Sequence, residues 1–133
     1  MNRVVHFEIH AKDMDNLQKF YQEVFGWEVK DMGEQMGNYR MVTTGKDEPG
    51  AMMTGINGGM VPRKGEAPKG GEPVNAFVCT ISVANIDETL AKIEKGGGTF
   101  ATDKMEIPGD MGTLAYRKDP EGNLFGIIQP IEK

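Results

Sequence analysis

Displaced on itself by 72 residues, the chain matches its own second half. Residues 4–57 then lie against 76–129 without a gap. Ile9, Asp15, Gly26, Glu34, Gly37, Lys46, Asp47, Gly50 and Ile56 meet Ile81, Asp87, Gly98, Glu106, Gly109, Lys118, Asp119, Gly122 and Ile128. An internal repeat means one supersecondary unit used twice, so both halves must carry the same elements in the same order. In the first half, Val4 to His10 alternates with period two: Val5, Phe7 and Ile9 face one way, and His6, Glu8 and His10 the other. Asp13 is placed to cap a helix, and Asp15 puts negative charge in its first turn. Leu17, Phe20, Tyr21, Val24 and Phe25 follow at helical spacing until Gly26, predicting a helix over 13–25. Three short strands are expected near 27–32, 38–44 and 51–57.

The second half repeats this order. Phe77 to Val83 reads as a strand, and Asn85 with Glu88 resembles a capping box. Ile86, Leu90 and Ile93 give a helix over 86–95 its apolar stripe, stopped at Gly96-Gly97-Gly98. Strands are expected near 99–105, 112–118 and 123–129. The fold class is therefore α+β: two tandem βαβββ units in one domain spanning 1–133. Between the repeats, residues 58–73 (GGMVPRKGEAPKGGEP) are rich in Gly, Pro and Lys and read as a connector, or as a lid or dimer-contact loop. They hold no phosphate-binding glycine pattern.

Charge narrows the partners. A formal net charge of −5 argues against nucleic acid or an anionic membrane, which call for a basic face. No apolar run approaches a membrane span, and the alternating N-terminus is unlike a signal peptide. Cys79, without a second cysteine, fits a reducing compartment. The expected setting is cytoplasmic, and the expected partner is a small molecule.

The residues also carry a resemblance. His6-Phe7-Glu8-Ile9, Phe20-Tyr21 and Phe25-Gly26-Trp27 look like the opening of the vicinal-oxygen-chelate superfamily, which includes glyoxalase I, extradiol dioxygenases and bleomycin- or fosfomycin-resistance proteins. Lys118-Asp119-Pro120-Glu121-Gly122-Asn123, with Phe125 and Gln129, is similar to that superfamily's closing motif. The resemblance covers 4–129. It implies paired βαβββ units whose mixed sheets curl around a shared cup, a homodimer, and a divalent metal between the first and last strands of each unit. Carried over through the repeat, the metal positions are His6, Thr54, Val78 and Gly126. Val and Gly bring no donor and neutral Thr is weak, whereas catalytic sites use about three His, carboxylate or Cys ligands. Among the immediate neighbours of those positions, Cys79 alone could ligate.

No metal and no other cofactor is therefore expected; the leading reading is a protein that binds a small organic molecule in the cup of its sheet. His6, Glu8, His10, Thr54 and Trp27 are the expected ligand-binding residues. The His6-Glu8-His10 stripe would offer a cationic donor and a carboxylate in place of the dication, suiting a carboxylate or phenol. The alternative is an enzyme: a glyoxalase-like lyase or isomerase, or a dioxygenase. It would use His6 or Glu8 as the catalytic group, or a metal held by His6 and non-family ligands. A third reading is a dimeric domain without pocket chemistry. Phe20 and Phe25 read as core. Of the pairs Tyr39-Arg40 and Tyr116-Arg117, alternation lets one member of each point inward. Glu106, before a Pro-Gly turn, reads as solvated.

Overall fold

Each half begins with a strand that leads into a capped helix. In the first, β1 (Phe7–Ala11) precedes α1 (Met14–Phe25). The Asp13 side chain accepts from Asn16 N at 3.0 Å, and Gly26 closes the helix at φ 72°, a left-handed conformation that suits glycine. In the second, β5 (Thr80–Ser82) precedes α2 (Ile86–Lys95), and Asn85 accepts from Glu88 N at 3.1 Å. Gln129 adds a second hold on that terminus, its Oε1 accepting from Ile86 N at 2.9 Å. These details come from a computed structural model that describes residues 4–46, 55–69 and 77–131. It divides into two compact units, Met1–Ala67 and Pro68–Lys133, with the boundary inside the expected connector.

Unit 1 continues through β2 (Glu28–Asp31), a 3-10 turn at Glu34–Met36, β3 (Arg40–Thr43) and β4 (Gly58–Pro62). Its sheet order is β1-β4-β3-β2, with β4 parallel to β1 and antiparallel to β3. Unit 2 continues through β6 (Thr99–Phe100), β7 (Met105–Ile107), β8 (Gly112–Lys118) and β9 (Leu124–Gln129). Here β9 lies between parallel β5 and antiparallel β8, and both β6 and β7 pair with β8. Both units are thus βαβββ with mixed sheets, an α+β fold. The repeat extends to backbone conformation. Gly37-Asn38 and their mates Gly109-Asp110 all have positive φ, which Asn and Asp tolerate better than other residues with a side chain.

Two strand expectations are corrected. The fourth strand of unit 1 is β4, built from residues expected to begin the connector. Within the expected 51–57 strand, 55–57 are not strand and 51–54 lie outside the described residues. The gapless alignment misses a longer loop between β3 and β4 than between β8 and β9. Gly58 and Gly59 looked like turn residues, but their use is close approach: a Cβ on Gly58 would collide with the Phe7 backbone and ring. In unit 2 the expected 99–105 strand is split. Thr102 Oγ1 accepts from Tyr116 N at 3.0 Å, while the Thr102 carbonyl accepts from the Arg117 guanidinium, so side chains interrupt the regular ladder there.

Each helix covers one face of its own sheet. Leu17, Phe20, Tyr21 and Val24 bury against a layer that includes Val42 and Met60, while Ile86 and Ile93 are buried with Ala115, Phe125 and Ile127 in unit 2. Arg40 anchors α1 to β3 by donating to Gln18 Oε1 at 2.7 Å and Asp15 Oδ1 at 2.8 Å. No helix among the described residues is long and apolar enough to cross a membrane.

The closing motif has a structural explanation. Asp119, 2% exposed, accepts from Glu121 N at 2.9 Å and Asn123 N at 3.0 Å through Oδ1, and from Asn123 Nδ2 at 3.0 Å through Oδ2. A carboxylate here satisfies the donors of the β8–β9 turn that no ladder reaches. Asp119→Ala leaves those donors without it and is expected to destabilise the protein by about 1.5–3 kcal/mol, measured by urea unfolding. A change within about 0.5 kcal/mol would show that the turn holds without its carboxylate.

Candidate functional site

The alternation of β1 decides which side chains remain available. Phe7 and Ile9 turn toward the helix side and are half-buried, while His6, Glu8 and His10 are exposed on the other face. Register then carries this face across the sheet. Glu8 lies beside Gly59 on β4, Gly59 beside Met41 on β3, and Met41 beside Lys30 on β2. Residues paired in this way project from the same face. The helix-free face of unit 1 therefore has a row Glu8, Gly59, Met41, Lys30, with one gap where glycine has no side chain.

Tyr39 fills the gap. It enters β3 one residue before Arg40, and alternation sends Arg40 to α1 and Tyr39 to the opposite face. Its ring lies over the Gly59 backbone, so that a Cβ on Gly59 would collide with the ring and hydroxyl. The hydroxyl reaches His6 Nε2 at 2.6 Å, with the two rings inclined by 14°. The Glu8 carboxylate acts on the same hydroxyl. In the 2.6 Å contact the His6 tautomer sets the donor: Nε2–H donates to the phenol oxygen, or the phenol O–H donates to a bare Nε2. The three side chains form one polar cluster on this face.

Burial pushes the Tyr39 phenol above its ordinary range, and the charge of Glu8 and its hydrogen bond push in the same direction. Tyr39 is held neutral, as a donor rather than a base. A parallel arrangement without the charges occurs in unit 2. Tyr116 lies over its cross-strand partner Gly126, where a Cβ would fall 3.1 Å from Tyr116 Cε1 and 3.0 Å from Thr80 Oγ1.

The expected site residues separate. His6 and Glu8 are brought together. His10 is on the same face, with its carbonyl accepting from Arg63 at 2.9 Å. Trp27 is elsewhere: it is 8% exposed and stacks on Tyr21 at 4.7 Å with Phe7 and Phe25 against it, on the helix side. Thr54 lies outside the described residues, and register moves its assigned role. Gly126 faces Thr80, the repeat mate of Glu8, and Glu8 faces Gly59, so the unit 1 counterpart of Gly126 is Gly59. Val78, Cys79 and Gly126 belong to unit 2, where Cys79 is a free, exposed thiol. Glu106 is exposed on β7 beside Thr113. Tyr39 is the residue whose role sequence reasoning missed, and its one available signal was alternation against Arg40.

These positions do not fit a divalent ion held between first and last strands. In unit 1 they are His6, whose Nε2 is committed to Tyr39, and Gly59, where a ligating side chain would displace the Tyr39 ring. In unit 2 they are Val78 and Gly126, which have no donor. Among the described residues no group of three His, Cys, Asp or Glu side chains is arranged to hold a metal.

The sequence profile of the Glyoxalase/Bleomycin resistance protein/Dioxygenase superfamily matches residues 3–127, and the chain belongs to that superfamily. The fold is similar to that of a genomically encoded fosfomycin resistance protein from Listeria monocytogenes, solved with Mn(II) and 1S,2S-dihydroxypropylphosphonic acid. The TM-score is 0.70 at 15% identity, covering 98% of this chain and 92% of that one. It is also similar to the trypanothione-dependent glyoxalase I of Leishmania major (TM-score 0.67, 19% identity, 97% and 87% covered). A glyoxalase/bleomycin resistance/dioxygenase domain from Frankia gives a TM-score of 0.69 at 17% identity, with 98% and 99% covered. At these identities the likeness is one of fold. No protein of curated function matches the sequence.

The cluster makes a testable statement about Tyr39. Replacing Glu8 with Gln removes the charge that acts on the phenol, while burial remains. The tyrosinate titration of Tyr39, followed by its ring carbon resonances, should move down in pH without reaching that of the unfolded chain. An unmoved midpoint would show that Glu8 does not act on the phenol.

Proposed function

We propose that the helix-free face of unit 1 binds a small organic molecule through His6, Tyr39 and Glu8, without a catalytic metal. The observation that supports this reading most is the Tyr39 ring over Gly59. It occupies the space that a last-strand metal ligand would need and brings a polar hydroxyl there instead. The surrounding surface suits a small ligand: Met41 is 50% exposed on the same row, adding a soft apolar contact beside polar groups. Superfamily relatives with manganese or glyoxalase chemistry set the contrast, because this chain keeps the fold but not the donors.

An enzymatic reading, a lyase or isomerase, has the exposed Glu8 carboxylate take a substrate proton as general base, and is the second reading. The protein is further proposed to act in the cytoplasm as a homodimer, a state supported by exposed Val4, Val5 and Phe77, which a second copy would cover.

Native mass spectrometry of freshly purified protein addresses these features together. The expected result is a species of twice the 14.6 kDa chain mass, without stoichiometric metal and with a retained organic molecule. That retained mass should be lost in Tyr39→Phe. One zinc, iron, nickel or manganese per chain, released by His6→Ala, would contradict the metal-free reading.

A further inference from the structure

We infer that Asp31 is a positioning residue for Tyr39: its carboxylate holds the turn that delivers the phenol to His6. The inference rests on the binding role proposed above for Tyr39 and adds the group that sets where the phenol stands. Tyr39 lies immediately before β3, at the end of the turn that follows β2, and that turn holds its backbone on both sides. Its carbonyl accepts from Met32 N at 2.9 Å, and its own N–H donates to Met36 O at 3.3 Å. From there the ring lies over Gly59 and the hydroxyl reaches His6 Nε2 at 2.6 Å. A hydrogen bond weakens steeply with distance and angle, so a small shift of the turn is felt at the imidazole.

The turn is a demanding one. Gly33 has φ 84° and ψ 174°, a conformation open in practice to glycine alone. Gly37 and Asn38 follow at φ 67° and 60°. Met36 N and Asn38 N both donate to Gly33 O, at 3.1 and 3.0 Å, so the turn closes on Gly33. Asp31 holds that residue: its Oδ1 accepts from Gly33 N at 2.8 Å, an aspartate turn two residues long. Its Oδ2 stands 3.9 Å from Nε of Arg40, which follows Tyr39 and is tied to Gln18 and Asp15 of α1. One carboxylate therefore meets both ends of the segment 33–40 that carries the phenol.

The two contacts are unequal. At 3.9 Å and with its side chain 59% exposed, Asp31 meets Arg40 as a water-screened charge, whereas 2.8 Å is an ordinary hydrogen-bond length. What Asp31 supplies to the turn is an acceptor at Gly33 N, and an asparagine amide oxygen would supply one too. Its effect on His6 runs through Tyr39, because β2 and β1 are opposite edges of the sheet, three strand spacings or about 14 Å apart.

The test reads the imidazole nitrogen resonances of His6 in full-length, histidine-labelled protein at pH 8, above the ordinary titration range of an imidazole, with no ligand added. Gly33 is exposed, so in Asp31→Ala water takes the freed N–H and the chain stays folded, but the turn is no longer fixed. Asp31→Ala should move the His6 resonances toward the positions they take in Tyr39→Phe, and Asp31→Asn should leave them close to wild type. Asn85→Ala, which removes the cap of α2 in unit 2, is a control for lost stability and should leave them unmoved. The positioning role is overturned if Asp31→Ala leaves His6 unchanged, or if Asn85→Ala moves it as far. It is overturned as well if Asp31→Asn fails to restore the resonances, since an acceptor at Gly33 N would then not be what holds the phenol. The binding role of Tyr39 is judged apart from this, by whether the retained organic molecule is lost in Tyr39→Phe.

Discussion

Gly59 has no side chain, and the polar face of unit 1 is organised around that missing atom. In a sheet, each position of a strand normally raises a side chain above or below its neighbours. At Gly59 the row is interrupted, and the Tyr39 ring lies down in the gap. From there the phenol is within reach of both His6 and Glu8, which β1 presents at alternate positions. An alanine at 59 would already displace the ring, and a longer ligating side chain would do so more strongly. A donor side chain at position 59 and the Tyr39 ring in this gap therefore exclude each other.

The other face of the same sheet makes this arrangement stable. Phe7, Trp27, Tyr21 and Phe25 form a continuous aromatic layer under α1, fixing β1 against the helix. Arg40, next in sequence to Tyr39, is tied to Gln18 and Asp15 of α1. With Arg40 held on one side, alternation directs Tyr39 to the other, so the phenol is positioned by the helix packing. The polar cluster also restricts chemistry. Partial burial and the charge of Glu8 raise the pKa of the Tyr39 phenol, so it stays protonated and is a weaker acid than a free tyrosine.

Much of the frame was legible because it depends on local chemistry. The caps Asp13 and Asn85, the stop at Gly26 and the strand at 112–118 follow from neighbouring residues, and all stand where the sequence puts them. The β1 alternation correctly separated His6, Glu8 and His10 from Phe7 and Ile9. What the sequence concealed depends on contacts between distant residues. Gly58-Gly59 reads as a turn unless Phe7 and Tyr39 are known to lie against it. Tyr39 is 33 residues from His6, and no local pattern joins them. Trp27 has the chemistry of a ligand platform, but only packing reveals that Tyr21 already occupies its face. The same distinction applies to Thr54: a gapless repeat assigned it a role that strand register gives to Gly59.

The central claim is that Tyr39, lying over Gly59, holds His6 through a hydrogen bond at Nε2. Nitrogen-15 spectra of histidine-labelled protein at pH 8, with His10 assigned by His10→Gln, report it directly. The expected result is a His6 Nε2 resonance that shifts in Tyr39→Phe. A His6 whose nitrogen resonances do not change when the phenol is removed would contradict it.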